Sequence, residues 1–405
     1  MTARFEAGSA EQNHSGPRPS LLTLILLSAV SPLAMNVFVP SMPSIAADFD
    51  APYAQVQLGL SLYLIMVAAM QVVAGPLSDT YGRKPVILTG VIMFMIGTAM
   101  CLWAQSVPVF LAGRVIQAGS AVGLVLSRTI VRDIYPREKS ASMIGYMVMG
   151  MAVAPMLGPA LGGFIDQFAG WRMSFVLLGV FGLFSLATVL FNLPETNRYR
   201  GTPLREQLAA YRMLAADPLF WSYAAATSLV SAMFFSYLGG GPAVATTHFG
   251  LGPGMTGIYF AIVAIGYIFG NFLSGRFSER RGLERMILDG TIIGASGPGL
   301  IVLSLAFGFD NPLAVFLPVA LIGVGNGMAL PNATAAAISL RPEVAGAASG
   351  LLGTAQVGLG AAVSIVAGIL VGAHGSPLAL GLLLLLFGVA SIVASVLASR
   401  LSRAR

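Results

Sequence analysis

Two short polar turns, each wedged between long apolar runs, constrain this chain more than any other feature. The first is Gly75-Pro76-Leu77-Ser78-Asp79-Thr80-Tyr81-Gly82-Arg83-Lys84-Pro85. The second is Gly275-Arg276-Phe277-Ser278-Glu279-Arg280-Arg281-Gly282-Leu283-Glu284-Arg285. Gly75 and Gly275, Ser78 and Ser278, Asp79 and Glu279, and Gly82 and Gly282 each stand 200 positions apart, about half of the 405 residues. A repeat of that period, with an acidic residue, a glycine and a basic cluster at matching places, predicts an internally duplicated set of membrane helices.

Composition supports that reading. Hydrophobic residues make up 56% of the chain and charged ones 9%, whereas soluble domains carry about 25% charged residues. A bilayer core of about 30 Å needs runs of about 17–25 apolar residues. Twelve such runs lie near 20–40, 53–75, 84–103, 107–130, 141–166, 171–193, 218–243, 254–277, 286–308, 311–338, 344–370 and 376–400. The predicted fold is an all-α membrane protein of twelve transmembrane helices in two pseudo-symmetric six-helix bundles. Its parts are a polar tail (1–19), a first bundle (20–193), a linker (194–217), a second bundle (218–400) and a short tail (401–405). Residues 204–214 of the linker have the pattern of a short amphipathic helix lying on the membrane surface.

The net charge of +6 is a topology signal. With the amino terminus inside, every basic residue except Arg114 and Arg172 falls in a tail or an inward-facing segment. The positive-inside rule then places both termini in the cytoplasm, and nucleic acid is not implied. The first 19 residues lack the apolar core of a signal peptide and read as a disordered tail. Cys101 is the single cysteine, suited to filling apolar space. No His, Cys or carboxylate cluster has metal-ligand spacing, and no nucleophile stands with a base, so neither cofactor, metal nor enzyme chemistry is expected.

The turn has its own chemistry. Gly75 is expected to let the second span approach a neighbour closely. Asp79, at the C-terminal end of that helix, opposes the helix dipole and calls for a cation. Gly82 suits a left-handed turn, and Pro85 the first turn of the next helix. The stretch Gly75–Lys84 resembles the inner-gate motif G-x-x-x-D-x-x-G-R-[RK] of the major facilitator superfamily. The second copy (Gly275, Glu279, Gly282) keeps the acidic residue but has Leu283 where the motif arginine would stand. The resemblance implies that Asp79, Arg83 and Asp133 form a charge network latching the two bundles in an outward-open state.

The fifth span carries Gly145, Ala154, Gly158, Pro159, Gly162 and Gly163. Small residues four apart make a smooth packing face. Their spacing resembles the antiporter motif of drug exporters, with Ala154 in place of a glycine. Longer stretches (56–85, 127–133, 157–172 and 234–237) are similar to the bicyclomycin and chloramphenicol resistance subfamily. That resemblance implies export of small amphipathic drugs or metabolites by alternating access, with proton antiport, from the bacterial inner membrane by a monomer. A proton-independent facilitator or importer, and a transport-dead sensor or assembly partner, stay open as alternatives.

Ionisable groups at mid-membrane are costly and mark function by default. Arg114 is the cation within a span, and Gln117 follows at i+3 on the same face. The guanidinium either snorkels to the outer surface or faces a cavity. Asn36 lies within about one turn of the same depth. The subfamily usually has an aspartate there, so Asn36 puts proton coupling at that position in question, having no titratable proton. Asn36, Tyr63, Gln71, Arg114, Gln117, Phe235, Tyr237 and Asn326 are the expected substrate-binding or coupling side chains. Asp166 and Asp289, at span ends, are expected to be interfacial.

Overall fold

The structure, a computed structural model, describes residues 19–135, 143, 147, 151, 153–197, 212–341, 344–372 and 374–403. All of its elements are helical. The first span is α1 (Leu21–Asn36), a tight turn at Val39–Ser41, and α2 (Met42–Asp48). Next come α3 (Tyr53–Tyr81) and α4 (Arg83–Leu102). The fourth span is α5 (Val107–Gln117) with α6 (Ala121–Ile134), followed by α7 (Val153–Ala169) and α8 (Arg172–Asn192). The second half holds α9 (Pro218–Ala243), α10 (Pro253–Arg281), α11 (Leu283–Ala306), α12 (Pro312–Phe316), α13 (Val319–Ser339), α14 (Ala345–Gly372) and α15 (Pro377–Arg403).

Among the described residues 11 helical segments are long and apolar enough to cross a membrane. α7 stands where the fifth of the twelve expected spans belongs, and the beginning of that span lies outside the described residues. Helix starts follow local chemistry. Ser20 Oγ accepts from Thr23 N at 3.1 Å. Asp217 accepts from Leu219 N at 3.0 Å and Asn311 from Ala314 N at 3.0 Å, each just ahead of a proline in the first turn. Large apolar side chains such as Phe191, Phe168, Phe272 and Ile265 point outward, the arrangement that lipid requires and water would penalise.

Several expected boundaries move. α3 runs on through Pro76 to Tyr81, so the first turn is mostly helix and only Gly82 breaks it. α15 continues to Arg403, into the expected tail. Pro40 and Pro43, which cannot donate, interrupt the first span, and Pro318 the tenth. The expected surface helix at 204–214 falls mainly outside the described residues; only its end, from Arg212, is seen as helix.

The repeat is exact in the backbone. α3 and α10 have 29 residues each and begin and end 200 positions apart. Gly82 closes α3 with its N–H on the Ser78 carbonyl at 3.0 Å, and Gly282 closes α10 on Ser278 at 2.9 Å. Both glycines have positive φ with extended ψ (101°, 155° and 81°, 152°). This is a glycine-only region rather than the left-handed helical conformation expected.

Two seams join the halves. Along α3 and α14, Gln57 Nε2 donates to the Ser364 carbonyl at 2.7 Å, Ser61 and Ser364 hydroxyls meet at 2.9 Å, and Thr354 donates to the Ala68 carbonyl at 3.3 Å. Along α7 and α10, Gly163 lies on the Pro253 carbonyl and Gly257 on that of Pro159; a methyl group would clash at either glycine.

Candidate functional site

Among the described residues four charged side chains are buried: Arg83, Arg114, Asp166 and Asp217. Asp217 caps α9. The other three organise the regions of interest.

Arg114 is fully buried in the first half, and it neither snorkels to the surface nor opens into a cavity in this structure. Its guanidinium carbon lies 4.0 Å from the Phe38 ring centroid and 4.4 Å from that of Tyr63. Nε donates to the Gly59 carbonyl at 3.2 Å, and Nη1 to the Ala34 carbonyl at 3.1 Å and to Gln117 Oε1. Gln117 is anchored in turn by Thr98 Oγ1 at 2.8 Å, and the Tyr63 hydroxyl by Ser31 and Ser120, each at 2.9 Å. No carboxylate balances the charge among these contacts. Ala34 lies in the last turn of α1, where the interrupted span exposes carbonyls and the negative end of a helix dipole. The break therefore supplies partial charge worth up to about 2 kcal/mol in a partly buried setting. Two aromatic faces add about 2 kcal/mol or more when desolvated.

Asn36 ends α1. Its Nδ2 donates back to the Pro32 carbonyl at 2.8 Å, while Oδ1 is buried without a hydrogen-bond partner. Arg114 Nη2 is likewise buried and unpartnered. Two orphaned polar atoms, one on the first span and one on the fourth, are where a ligand group or water would be held.

The eight expected side chains do not converge on one point. Asn36, Tyr63, Arg114 and Gln117 gather around the α1 break. Gln71 lies on the α3–α14 seam, where a Cβ at Gly353 would strike it, and Phe235 meets Gly360 of α14. Tyr237 stacks on Phe260 at 4.3 Å in the second half, and Asn326 Nδ2 ties α13 to the Val230 carbonyl at 3.2 Å. Tyr237 and Asn326 sit within the packing of that half because their partners are its own helices.

The first turn is a closed network. Arg83 binds Asp79 at 2.5 Å, Asp133 at 3.2 Å and the Ser78 hydroxyl. Burial pushes the Asp133 carboxyl up, and Arg83 with the Thr196 hydroxyl only partly offsets it. Residues read from sequence as linker complete the site. Glu195 accepts the backbone N–H of Arg83 at 2.9 Å and of Lys84 at 3.1 Å, capping α4 from across the first half. Asn197 Nδ2 donates to the Ser78 and Asp79 carbonyls, capping the end of α3. Burial raises the Glu195 carboxyl, but the N–H groups of Asn197, Arg83, Lys84 and Thr196 outweigh it and hold it below its usual range.

The second turn lacks this network. Among the described residues Glu279 is exposed with no ion pair, and Arg281 reaches Asp289 of α11 at 2.7 Å instead. The close approach expected of Gly75 is not found; a Cβ there, or at Gly275, would meet open space. The buried stripe at these helix ends runs through Ala74 and Ser78, and through Ser274, which turns both glycines off the packed face.

On the fifth span, Gly145 lies outside the described residues, and of Ala154 only its helical backbone is described. Gly158 meets the Asn36 Cβ, Gly162 the Val37 carbonyl and Gly163 the Pro253 carbonyl. The small residues thus seat α7 against the broken first span on one side and α10 on the other. Asp166, one turn beyond Gly162, is buried rather than interfacial; Asp289 is partly exposed.

A family model described as Major Facilitator Superfamily matches residues 24–365. The chain belongs to the major facilitator superfamily. It is 31% identical over 351 residues to a bicyclomycin resistance protein homolog of Haemophilus influenzae, covering 84% of this chain and 86% of that one. It is also 31% identical over 391 residues to multidrug resistance protein D of Escherichia coli, covering 94% and 96%. Chloramphenicol resistance protein of Pseudomonas aeruginosa is 29% identical over 331 residues, covering 80% and 78%. These relatives are those of the bicyclomycin and chloramphenicol resistance subfamily. In fold, the chain is similar to a bacterial homolog of the human lysosomal transporter Spinster in an inward-facing, unoccupied conformation, with a TM-score of 0.72, 20% identity and coverage of 94% and 96%. As a member of this superfamily the protein is a multi-pass membrane transporter of small molecules, not an enzyme.

Proposed function

We propose that this transporter exports small amphipathic drugs or metabolites by alternating access, with protons as the counter-ion. The first turn carries the reading: an Asp79–Arg83–Asp133 network on a glycine that no other residue could replace, beside a second copy stripped of its arginine. Resistance proteins among the relatives supply the substrate class. The two six-helix units, 20–193 and 218–400, would rock about the α3–α14 and α7–α10 seams, with 194–217 as linker. The arginine distribution supports both termini on the cytoplasmic side of the bacterial inner membrane, and one chain suffices for the cycle. Arg114, with no carboxylate partner among the described residues, favours neutral or anionic ligands over lipophilic cations.

Asn36 favours a second reading, a facilitator not coupled to protons, since it replaces the titrating group expected there. One screen separates the two. In a host lacking its own exporters, expression should raise resistance to a panel of drugs and lower their accumulation, and a protonophore should abolish both effects. Flux insensitive to the protonophore would favour the facilitator, and no flux for any compound would remove the export reading.

A further inference from the structure

Of the four buried charges, Asp166 is the one the foregoing leaves unexplained. Gly158, Gly162 and Asp166 are spaced four apart, so they form one stripe on α7. The stripe follows the broken first span: Gly158 rests on Asn36 and Gly162 on Val37, and the hydroxyls of Ser41 and Ser44 lie beside Asp166. Asp166 Oδ2 and Ser41 Oγ are both buried, and neither completes a hydrogen bond. The neighbouring positions Gly163 and Gln167 press on α10, against Pro253 and Gly254. Asp166 therefore lies between the broken first span and the contact that joins the two halves, next in sequence to Gln167.

Among the described residues no cation compensates it there. α1 and the Val39–Ser41 turn carry no charged or titratable side chain. α8 offers Arg172, which is bound to Asp48 of α2 at 2.8 Å and to the Ala104 carbonyl at 3.0 Å. The outer half of α10 offers Tyr259, stacked on Phe316, and the charges of α10 begin only at Arg276 near its other end. A carboxylate withdrawn from water with no cation and an open lone pair is costly, while the neutral acid can stay.

We propose that Asp166 is a proton site: closing the α7–α10 seam on the outer face takes up one proton from the outside, and opening it to the outside returns the carboxylate to water. The proton moves from hydronium to Asp166 Oδ2, and no other bond changes. This deepens the alternating-access reading, on which it rests, and places a titratable group about 12 Å farther out than Asn36 along one helix face, eight residues at 1.5 Å each.

The test reads the seam itself, without substrate. Phe168 and Met255 are exposed at the outer ends of α7 and α10, and Cys101 is buried, so cysteines at the first two positions can carry spin labels selectively. In nanodiscs, the short-distance population should grow as pH falls from about 8.5 to about 5, the window that buried carboxyls can reach. Asp166→Asn, nearly isosteric, should hold the short distance at every pH. An identical pH response in Asp166→Asn, or a flat response in the parent protein, would overturn the proposal. Should Asp166→Asn not fold, Ser44→Ala serves: losing a donor to the carboxylate should move the midpoint to higher pH, and an unmoved midpoint would overturn it. Failure of export altogether would show as absent flux, a separate result from the seam distance.

Discussion

The two turns, built on superimposable sequence spacing, teach how a backbone can be repeated while its chemistry is not. Gly82 and Gly282 adopt the same glycine-only conformation after helices of equal length. Around the first, three side chains from two other segments converge: Asp133 of α6, and Glu195 and Asn197 from the stretch after α8. Around the second, the turn faces a cavity of about 450 Å³ lined by Tyr223, Leu283, Ser339 and Arg403. Capping differs in the same way. α11 carries its own acidic residue, Glu284, in its first turn, while α4 has none and takes Glu195 from 112 residues away. Glu284 caps no N–H of α11 and instead accepts from the Tyr223 hydroxyl at 3.4 Å, whereas Glu195 ties the end of one span to the start of another. The first turn therefore couples the start of α4 to α6 and to the segment after α8 through Asp133 and Glu195, a coupling that the second turn, tied by Arg281–Asp289 and Tyr223–Glu284, does not repeat.

The comparison can be broken most severely at the glycines. A Cβ on Gly82 would be strained by its φ of 101° and would sit 2.5 Å from Glu195 Oε2, whereas at Gly282 it meets open space. Gly82→Ala should cost about 1–3 kcal/mol for the backbone alone, with the lost Glu195 cap added, and Gly282→Ala only the backbone share. Thermal unfolding in detergent checks the order; equal losses would make the Glu195 contact irrelevant.

A smaller effect is expected from Glu195→Gln, about 1 kcal/mol, the difference between charged and neutral hydrogen bonds. The sign with pH follows from a depressed carboxyl. The stabilisation is complete above the ordinary value of 4.5 and disappears as pH falls through the lower folded value. Unfolding measured in that acidic range should show the parent protein losing its advantage over Glu195→Gln, and a constant gap would contradict the assignment. The smallest change sharpens the comparison: Leu283→Arg restores the motif arginine four residues after Glu279. At this exposed site the new pair should add less than about 1 kcal/mol and leave flux unchanged.

Much of this was legible in the chain. The spacing of Gly82 and Gly282 exposes the repeat, because a conformation that only glycine adopts cannot drift in sequence. Asp79 needed a cation at a helix C-terminus, and Arg83 one turn later supplies it. Glu195 and Asn197 were not found, since their partners are backbone groups more than 100 residues away. The one available signal was a demand: α4 begins after a glycine without any acidic residue in its first turn. The surroundings of Arg114 were hidden for a related reason. Its acceptors at Ala34 and Gly59 are carbonyls, which every residue has, so side-chain identity does not announce them. Asp166 looked interfacial because position along a span does not reveal which neighbour covers it.

The claim that the first turn alone works as the gate is tested most directly by substrate flux in proteoliposomes for Asp79→Ala and Glu279→Ala, at matched amounts of inserted protein. The account predicts that Asp79→Ala loses transport at least about tenfold, the scale of a conformational coupling of 1–3 kcal/mol, while Glu279→Ala keeps the parent rate. Equal rates in the two variants, whether both lost or both kept, would contradict it.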